Sequence, residues 1–434
     1  MKIGVIGTGY VGLVTAVGLA DLGHHVIGTD KVNEKIEKAS QGKVPIYEPG
    51  LEKLLKKNLN NGNLCFSSDL EETIRSSDVL FVCVNTPQRK DGSADMSYVE
   101  GVSRCIAENL NGYKLVVEKS TVPVRTSSWI KRTISLYKKG DYLFDVASNP
   151  EFLREGSAVS DFLNPDRIVI GVESEKAKNI LLKIYDKYQD KIHITNIDTA
   201  ELIKHASNSF LALKISFINL ISDLCEKTEA DVELVARGMG LDSRIGKQFL
   251  RAGLGYGGSC FPKDVRALEK IGEDLGIDMR LLKEVDRINT ARIDVFIHKL
   301  KDALWILKNK KLAVLGLAFK PRTDDIRNAA SVEIIKRILE EEAHLSLYDP
   351  EAAEKVKKLF PERGPHVQYA ESAYEALKNA NAALFITEWE EFSKLDLDKV
   401  KKLMANPIII DGRNIFNPRE VRAKGFEYYS IGRK

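Results

Sequence analysis

Lys2-Ile3-Gly4-Val5-Ile6-Gly7-Thr8-Gly9-Tyr10-Val11-Gly12 opens the chain. The apolar run Lys2–Ile6 predicts a short buried strand, and residues 10–22 carry helical spacing. Between them lies a turn of the form G-x-G-x-x-G. In such a turn the first glycine makes the bend and the second lets a diphosphate approach the backbone. The third lets helix pack on strand, and the phosphates sit at the helix N-terminus. A second strand, His25–Thr29, ends at Asp30, so a carboxylate follows the turn by about twenty residues, as a dinucleotide site requires. Glycines alone are weak evidence of a site, but strand, turn, helix, strand and acid in this order are specific. An acid there accepts hydrogen bonds from ribose hydroxyls and repels a phosphate, so the expected cofactor is NAD rather than NADP.

Further apolar strands are expected at 79–84 and 115–117, with helical stretches between them. This alternation predicts an α/β fold with a parallel, doubly wound sheet. Val84-Asn85-Thr86-Pro87 and Lys119-Ser120-Thr121-Val122-Pro123 follow those strands, where loops face the ligand crevice. Thr86, Ser120 and Thr121 are therefore cofactor candidates, although ordinary turn chemistry explains them equally well.

From Thr199 the pattern changes. Residues 200–226 hold no proline or glycine and show helical apolar spacing, predicting one long helix followed by helical pieces to about Asn309. Such a helix links domains or forms a dimer face. A second α/β unit then begins, with strands expected at 311–317, 344–348, 382–387 and 407–410 and a helix at 331–342. The two ends share a layout of strand, glycine turn, helix, strand and terminal aspartate (Asp30, Asp349). The expected division is 1–198, 199–309 and 310–434: two Rossmann-like sheets joined by a long central helix.

A chain of 434 residues is too long for one ordinary core. Its net charge of +3 gives no case for nucleic acid or a membrane surface. Residues 3–20 lack charge and could imitate a signal peptide or a membrane helix, but their glycines fit strand and turn better. No other segment reads as a span. The 5 cysteines are odd in number and widely spaced, which suits reduced thiols in a cytoplasm. Core packing is expected for Cys65, Cys83, Cys105 and Cys225. No metal-ligand cluster is visible.

Cys260 differs from the others. It sits in Gly255-Tyr256-Gly257-Gly258-Ser259-Cys260-Phe261-Pro262-Lys263-Asp264. Glycines present the thiol, the Lys263 ammonium favours a thiolate, and Asp264 suits a base that activates water. A thiol beside a nicotinamide can hold an aldehyde as a thiohemiacetal, so that hydride leaves twice and an alcohol becomes a carboxylate. Lys204 and Asn208 lie one helical turn apart and could steady an oxyanion, or be a solvated pair. Glu151, in Asn149-Pro150-Glu151-Phe152-Leu153-Arg154-Glu155-Gly156, is a candidate acid–base group or a helix-start carboxylate. The stretch 316–327 (Gly-Leu-Ala-Phe-Lys-Pro-Arg-Thr-Asp-Asp-Ile-Arg) and Asp411-Gly412-Arg413 put cations at strand ends, suiting a diphosphate.

On these motifs the chain resembles the nucleotide-sugar 6-dehydrogenases over nearly its whole length. The resemblance implies oxidation of UDP-glucose at C6 by two successive NAD molecules. It makes Cys260 the nucleophile, gives the oxyanion and water to Lys204, Asn208 and Asp264, and has Glu151 and Thr121 help position that water. It assigns NAD contacts to the 7–12 turn, Asp30, Lys35, Thr86, Ser120, Thr121, Glu155, Lys263 and Arg327. Substrate contacts would fall to Glu151, Phe152, Leu153, Lys204, Asn208, Arg251, Tyr256, Gly257, Phe319, Lys320 and Arg413. Arg244 matches an arginine reaching in from a neighbouring subunit of a homodimer built on the central helix. Asn85 and Arg125 depart from the glycines that bacterial members often carry there. GDP-mannose and UDP-N-acetyl-hexosamine dehydrogenases share the chemistry, and residues 161–167 look like the UDP-glucose branch. A β-hydroxyacid dehydrogenase would need no Cys260, and an NAD-responsive scaffold would need no nucleophile at all.

Overall fold

The computed structural model describes residues 1–89 and 91–434. They form two compact units, Met1–Ser207 with Lys270–Ile277, and Asn208–Glu269 with Asp278–Lys434.

The first unit is wound on eight strands: β1 Lys2–Ile6, β2 His25–Thr29, β3 Leu64–Ser67, β4 Val79–Val82, β5 Lys114–Glu118, β6 Phe144–Ser148, β7 Ile168–Gly171 and β8 Ile192–Thr195. Their order is β3-β2-β1-β4-β5-β6-β7-β8. The first six follow the dinucleotide-fold order with its switch point between β1 and β4. Successive residues feed opposite faces. Val5 and Phe81 join the cluster under the helix Tyr10–Asp21, whereas Ile6, Leu80 and Val82 join the one under Ser97–Glu108 and Thr126–Tyr137. Covering both faces buries these strands and explains their continuous apolar runs. The sheet is not wholly parallel: β7 meets β6 antiparallel at Ser148 and Gly171, and β8 runs parallel to β7. Strand β4 ends at Val82, short of residue 84, and beyond it the Cys83 carbonyl lies 2.7 Å from where a Cβ on Gly7 would be.

In the second unit a sheet of β9 Lys311–Leu315, β10 His344–Tyr348, β11 Val367–Tyr369, β12 Ala382–Phe385, β13 Ile408–Asp411 and β14 Glu427–Tyr429 is parallel throughout. Its order is β11-β10-β9-β12-β13-β14, the same winding as the first six strands. The likeness extends to atoms. Gly7 and Gly316 both have positive φ (94° and 95°), and each N–H donates to the neighbouring strand, to Thr29 O at 2.8 Å and Tyr348 O at 2.9 Å. Asp30 accepts from Thr8 N, and Asp349 from Leu317 N and Ala318 N. Asp349 also takes Glu351 N, Ala352 N and the Trp389 indole, so it is a brace within the sheet.

The predicted long helix spans Ile197–Lys227. By length and composition it could cross a membrane, which the sequence reading passed over. Its polar side chains instead bond within the protein. Glu201 takes Ser127 N at 2.9 Å in the first unit, and Asn219 takes Gly253 N at 2.8 Å in the second. Residues 3–20 are β1 plus a helix buried on the sheet, not one apolar helix. Two of the four expected core cysteines are corrected. Cys65 is exposed because β3 is an edge strand that turns Leu64 inward and Cys65 outward, and Cys105 is half-buried.

Candidate active site

The glycine turn is shaped as its spacing predicts. A Cβ on Gly12 would lie 1.7 Å from Gly7 O, so helix and strand touch at backbone distance there. Gly9 is the N-cap of Tyr10–Asp21, no side chain caps it, and no acid stands in the first turn. Above Gly9 the nearest atom to a Cβ is Asn85 Oδ1, 3.8 Å away. Open backbone amides at a helix start, with no competing acid, fit a dinucleotide's diphosphate. Asp30 Oδ2 accepts from Thr8 N and Thr8 Oγ1, and Oδ1 accepts from Val32 N. Burial raises the Asp30 pKa, but the Val32 and Thr8 amides and Lys35, 3.2 Å away, outweigh it and hold the carboxyl below its ordinary value. Asp30 is thus anionic and bonded to the turn that receives the phosphates. Asp30→Ala is expected to weaken NADH binding about 10- to 100-fold, the worth of a hydrogen bond to a charged group. Fluorescence titration checks this, and unchanged affinity would undo the ribose assignment.

Around the crevice of the same unit, Thr86 Oγ1 donates to Thr121 O at 2.9 Å, tying the two hydroxyl loops together. Ser120 N donates to Glu118 Oε1 at 2.7 Å. Burial pushes the Glu118 carboxyl up to about 8, with the Ser120 bonds opposing it. Arg125 takes positive φ (75°), which accounts for the glycine preference there, and its N–H is held by Glu201 Oε2. His205 Nε2 meets Val122 O at 2.8 Å.

Glu151 is not at a helix start but in the loop between β6 and the helix Ala158–Leu163. Nor is Lys204 solvated: Lys204 Nζ donates to Glu151 Oε1 at 2.7 Å, and both side chains are buried. Glu151 Oε2 takes Leu153 N at 2.6 Å. Phe152 lies under the Arg167 guanidinium, 3.8 Å from ring to Cζ. Glu155 begins the turn after Arg154. Sequence reasoning missed Glu48, a buried carboxylate that accepts from Tyr10 Oη, Gly156 N and Val159 N, joining the phosphate turn to the Glu151 loop. A lone Glu in Tyr47-Glu48-Pro49-Gly50 carries no pattern that would have found it.

In the second unit, Cys260 immediately precedes the helix Phe261–Asp274 and is half-buried. A helix N-terminus favours the thiolate. Asp264 lies one turn on. Its N–H donates to Cys260 O at 2.8 Å and its Oδ2 accepts from Asn208 Nδ2 at 2.6 Å. Lys263 Nζ is 3.5 Å from Asp264 Oδ1. The glycines have steric reasons: a Cβ on Gly257 would meet Asn328 O at 2.3 Å, and one on Gly258 the Phe319 ring at 2.7 Å. Asn289 clamps the turn from below, accepting from Tyr256 N at 2.8 Å and donating to Tyr256 O at 3.0 Å. Only folding revealed it. Arg413 donates to Gly255 O, Ile386 O and Phe319 O. It therefore joins the cysteine turn to the 316–327 loop. Lys320 lies over the Phe319 ring, and Arg327 pairs with Asp325 at 2.6 Å. Arg251 is exposed. Arg244 is 87% exposed and paired with Asp242.

Three family models match in series. They describe the UDP-glucose/GDP-mannose dehydrogenase family's NAD binding domain over residues 1–189, its central domain over 198–291 and its UDP binding domain over 313–418. The chain is 45% identical over 432 residues to a UDP-glucose 6-dehydrogenase, TuaD, of Bacillus subtilis, covering all of this chain and 93% of that protein. It is 46% identical over 440 residues to the UDP-glucose 6-dehydrogenase of Rhizobium meliloti, covering both in full. Among solved structures, a UDP-glucose dehydrogenase from Pyrobaculum islandicum superposes with TM-score 0.92 at 39% identity, covering 100% of this chain and 98% of that one. A UDP-D-ManNAc dehydrogenase from Pyrococcus horikoshii gives TM-score 0.87 at 31% identity, covering 100% and 99%. A dinucleotide turn fit for NAD, a cysteine at a helix start and likeness along the full length all agree: the chain belongs to the UDP-glucose/GDP-mannose dehydrogenase family.

Proposed function

We propose that this protein oxidises UDP-glucose at C6 to UDP-glucuronate, using two NAD per sugar. The observation that carries the chemistry is the Cys260 turn, a thiol at a helix start with a buried Asn208–Asp264 pair one turn away. The choice of sugar rests on the full-length relatives named for UDP-glucose, since identity falls toward those named for other sugars.

When bound, NAD accepts the hydride of each oxidation. The chain's own residues do the rest. Cys260 adds to the C6 aldehyde, forming a C–S bond and an oxyanion. Lys204 and Asn208 donate to that oxygen, an effect largest where charge develops. After the second oxidation the carbon is a thioester. Water adds to it, the C–S bond breaks, the thiolate is restored and the carboxylate leaves. Asp264 takes the proton of that water, and Glu151 and Thr121 orient it. Asp30, Lys35, Thr86, Ser120, Glu155, Lys263 and Arg327 hold NAD, while Phe152, Leu153, Arg251, Tyr256, Gly257, Phe319, Lys320 and Arg413 hold the nucleotide sugar.

In this reading residues 1–198 bind NAD, 310–434 bind the UDP moiety, and 199–309 form a homodimer. Support for the dimer comes from Phe210, Phe217, Leu220 and Leu224, which make an exposed apolar stripe on one helix face. Arg244 would then serve the partner's site. A nucleophilic thiol must stay reduced, which favours the cytoplasm.

The deciding measurement is NADH formed per UDP-glucose consumed. Two per sugar is expected. One would mean an enzyme that stops at the aldehyde, and turnover on GDP-mannose or a UDP-N-acetyl-hexosamine alone would correct the substrate.

A further inference from the structure

Behind the Glu151–Lys204 pair stands a third buried charge that no step above uses. Lys119 follows β5 and is 5% exposed. Its Nζ donates to Asn149 Oδ1 at 2.9 Å and Asn149 O at 3.3 Å. Both acceptors are neutral, and no carboxylate pairs directly with Lys119 among the described residues. Its position is fixed because Asn149 is itself locked. Asn149 Oδ1 also accepts from Tyr185 Oη at 2.7 Å, Nδ2 donates to Val169 O at 2.8 Å, and the backbone N–H donates to Glu118 O at 2.8 Å. Lys119, Asn149, Glu151 and Tyr185 share the wall of a cavity of about 150 Å³.

The charge balance is uneven. Glu151 and Lys204, joined at 2.7 Å, cancel each other, and Lys119 leaves the buried trio at one positive charge. An ammonium buried without an anion costs stability, and apolar replacements of buried charges are often neutral or stabilising. Folding is therefore a poor reason for a lysine here. A paired Lys204 has little net field to offer an anion, whereas the trio has.

We propose that Lys119 is a positioning residue whose unbalanced charge keeps the Glu151–Lys204 pair receptive to the oxyanion formed at C6 of the substrate. The proposal rests on the oxidation described above. Lys119 acts through the pair and its own bonds go to Asn149.

The groups facing Lys119 are Cys83 after β4, Glu151 in the loop after β6, and Lys204 on the long helix, with Tyr185 reached through Asn149. Burial lowers the ammonium to about 8, with Cys83 and Glu151 opposing and Lys204 reinforcing. The charge is complete below that value and is lost as pH rises through it. Wild-type kcat should therefore carry an alkaline limb near 8.

The test compares Lys119→Met with the full-length wild type on UDP-glucose and NAD. Expected are a fall in kcat of about tenfold or more, a KM for either ligand within about twofold, and loss of the alkaline limb. The thermal unfolding midpoint should hold or rise, whereas a merely structural lysine would lose stability and activity together. Lys119→Arg, which keeps its charge through the assay range, should recover part of kcat and move the limb above the wild-type one. Wild-type kcat and an unmoved limb in Lys119→Met overturn the proposal. If Lys119→Met does not fold, an unmoved limb in Lys119→Arg overturns it. A wild-type protein that oxidises no nucleotide sugar overturns the functional reading and this proposal with it.

Discussion

Cys260→Ser is expected to bind NADH as the wild type does and to form essentially no UDP-glucuronate, with acid production down by at least about 10³-fold. Cys260 stands at the start of the helix Phe261–Asp274, where the dipole favours a thiolate. A serine there keeps the shape but stays protonated at neutral pH and does not add to the aldehyde. The first oxidation can still occur, but the second has no covalent adduct to draw on. Product analysis by chromatography, beside a fluorescence titration with NADH, separates the two effects. Full acid formation by Cys260→Ser would sink the covalent route. Weakened NADH binding would show that the substitution disturbed more than the nucleophile.

The second large effect is expected from Gly12→Ala. One methyl group would be placed 1.7 Å from Gly7 O and 3.0 Å from the Cys83 side chain. Backbone cannot yield as a side-chain tip can, so the start of Tyr10–Asp21 must lift from β1. Overpacking of this kind costs about 1–3 kcal/mol or more. Because the displaced amides are those that face the diphosphate, NADH affinity should fall by about 100-fold, some 2.7 kcal/mol. Gly9→Ala is the control for the strain, since its Cβ would have no neighbour closer than Asn85 Oδ1 at 3.8 Å. Wild-type affinity and stability in Gly12→Ala would contradict the close contact of helix and strand.

Both dinucleotide-type sheets were legible because their signals are local. A short apolar run, a glycine turn and an acid at the end of the next strand specify strand, bend, helix and partner strand without reference to the rest of the chain. The shared order of the two sheets follows from repeating that unit. Strands β3, β6, β7, β8, β11 and β14 were not named from sequence. Several are short or lie toward the sheet edges, as the 4-residue β3 and 3-residue β14 do, and their pairing comes from neighbours already in place. The antiparallel β7 was invisible because no local pattern states strand direction.

The same division runs through the candidate site. By itself the sequence determined the dinucleotide turn with its Asp30, the thiol in a glycine turn and the one-turn spacing of Lys204 and Asn208, since each is a pattern of neighbours along the chain. Only the tertiary structure decided what those groups meet. It buried Lys204 against Glu151, 53 residues away, and Asn208 against Asp264, 56 residues away. It bonded Glu48 to Tyr10 and Gly156, clamped the cysteine turn with Asn289, and, among the described residues, bonded Lys119 to the neutral Asn149 rather than to an anion. Burial and charge pairing set the chemistry of these groups, and both are properties of chain segments brought together by packing, which no spacing in the sequence encodes.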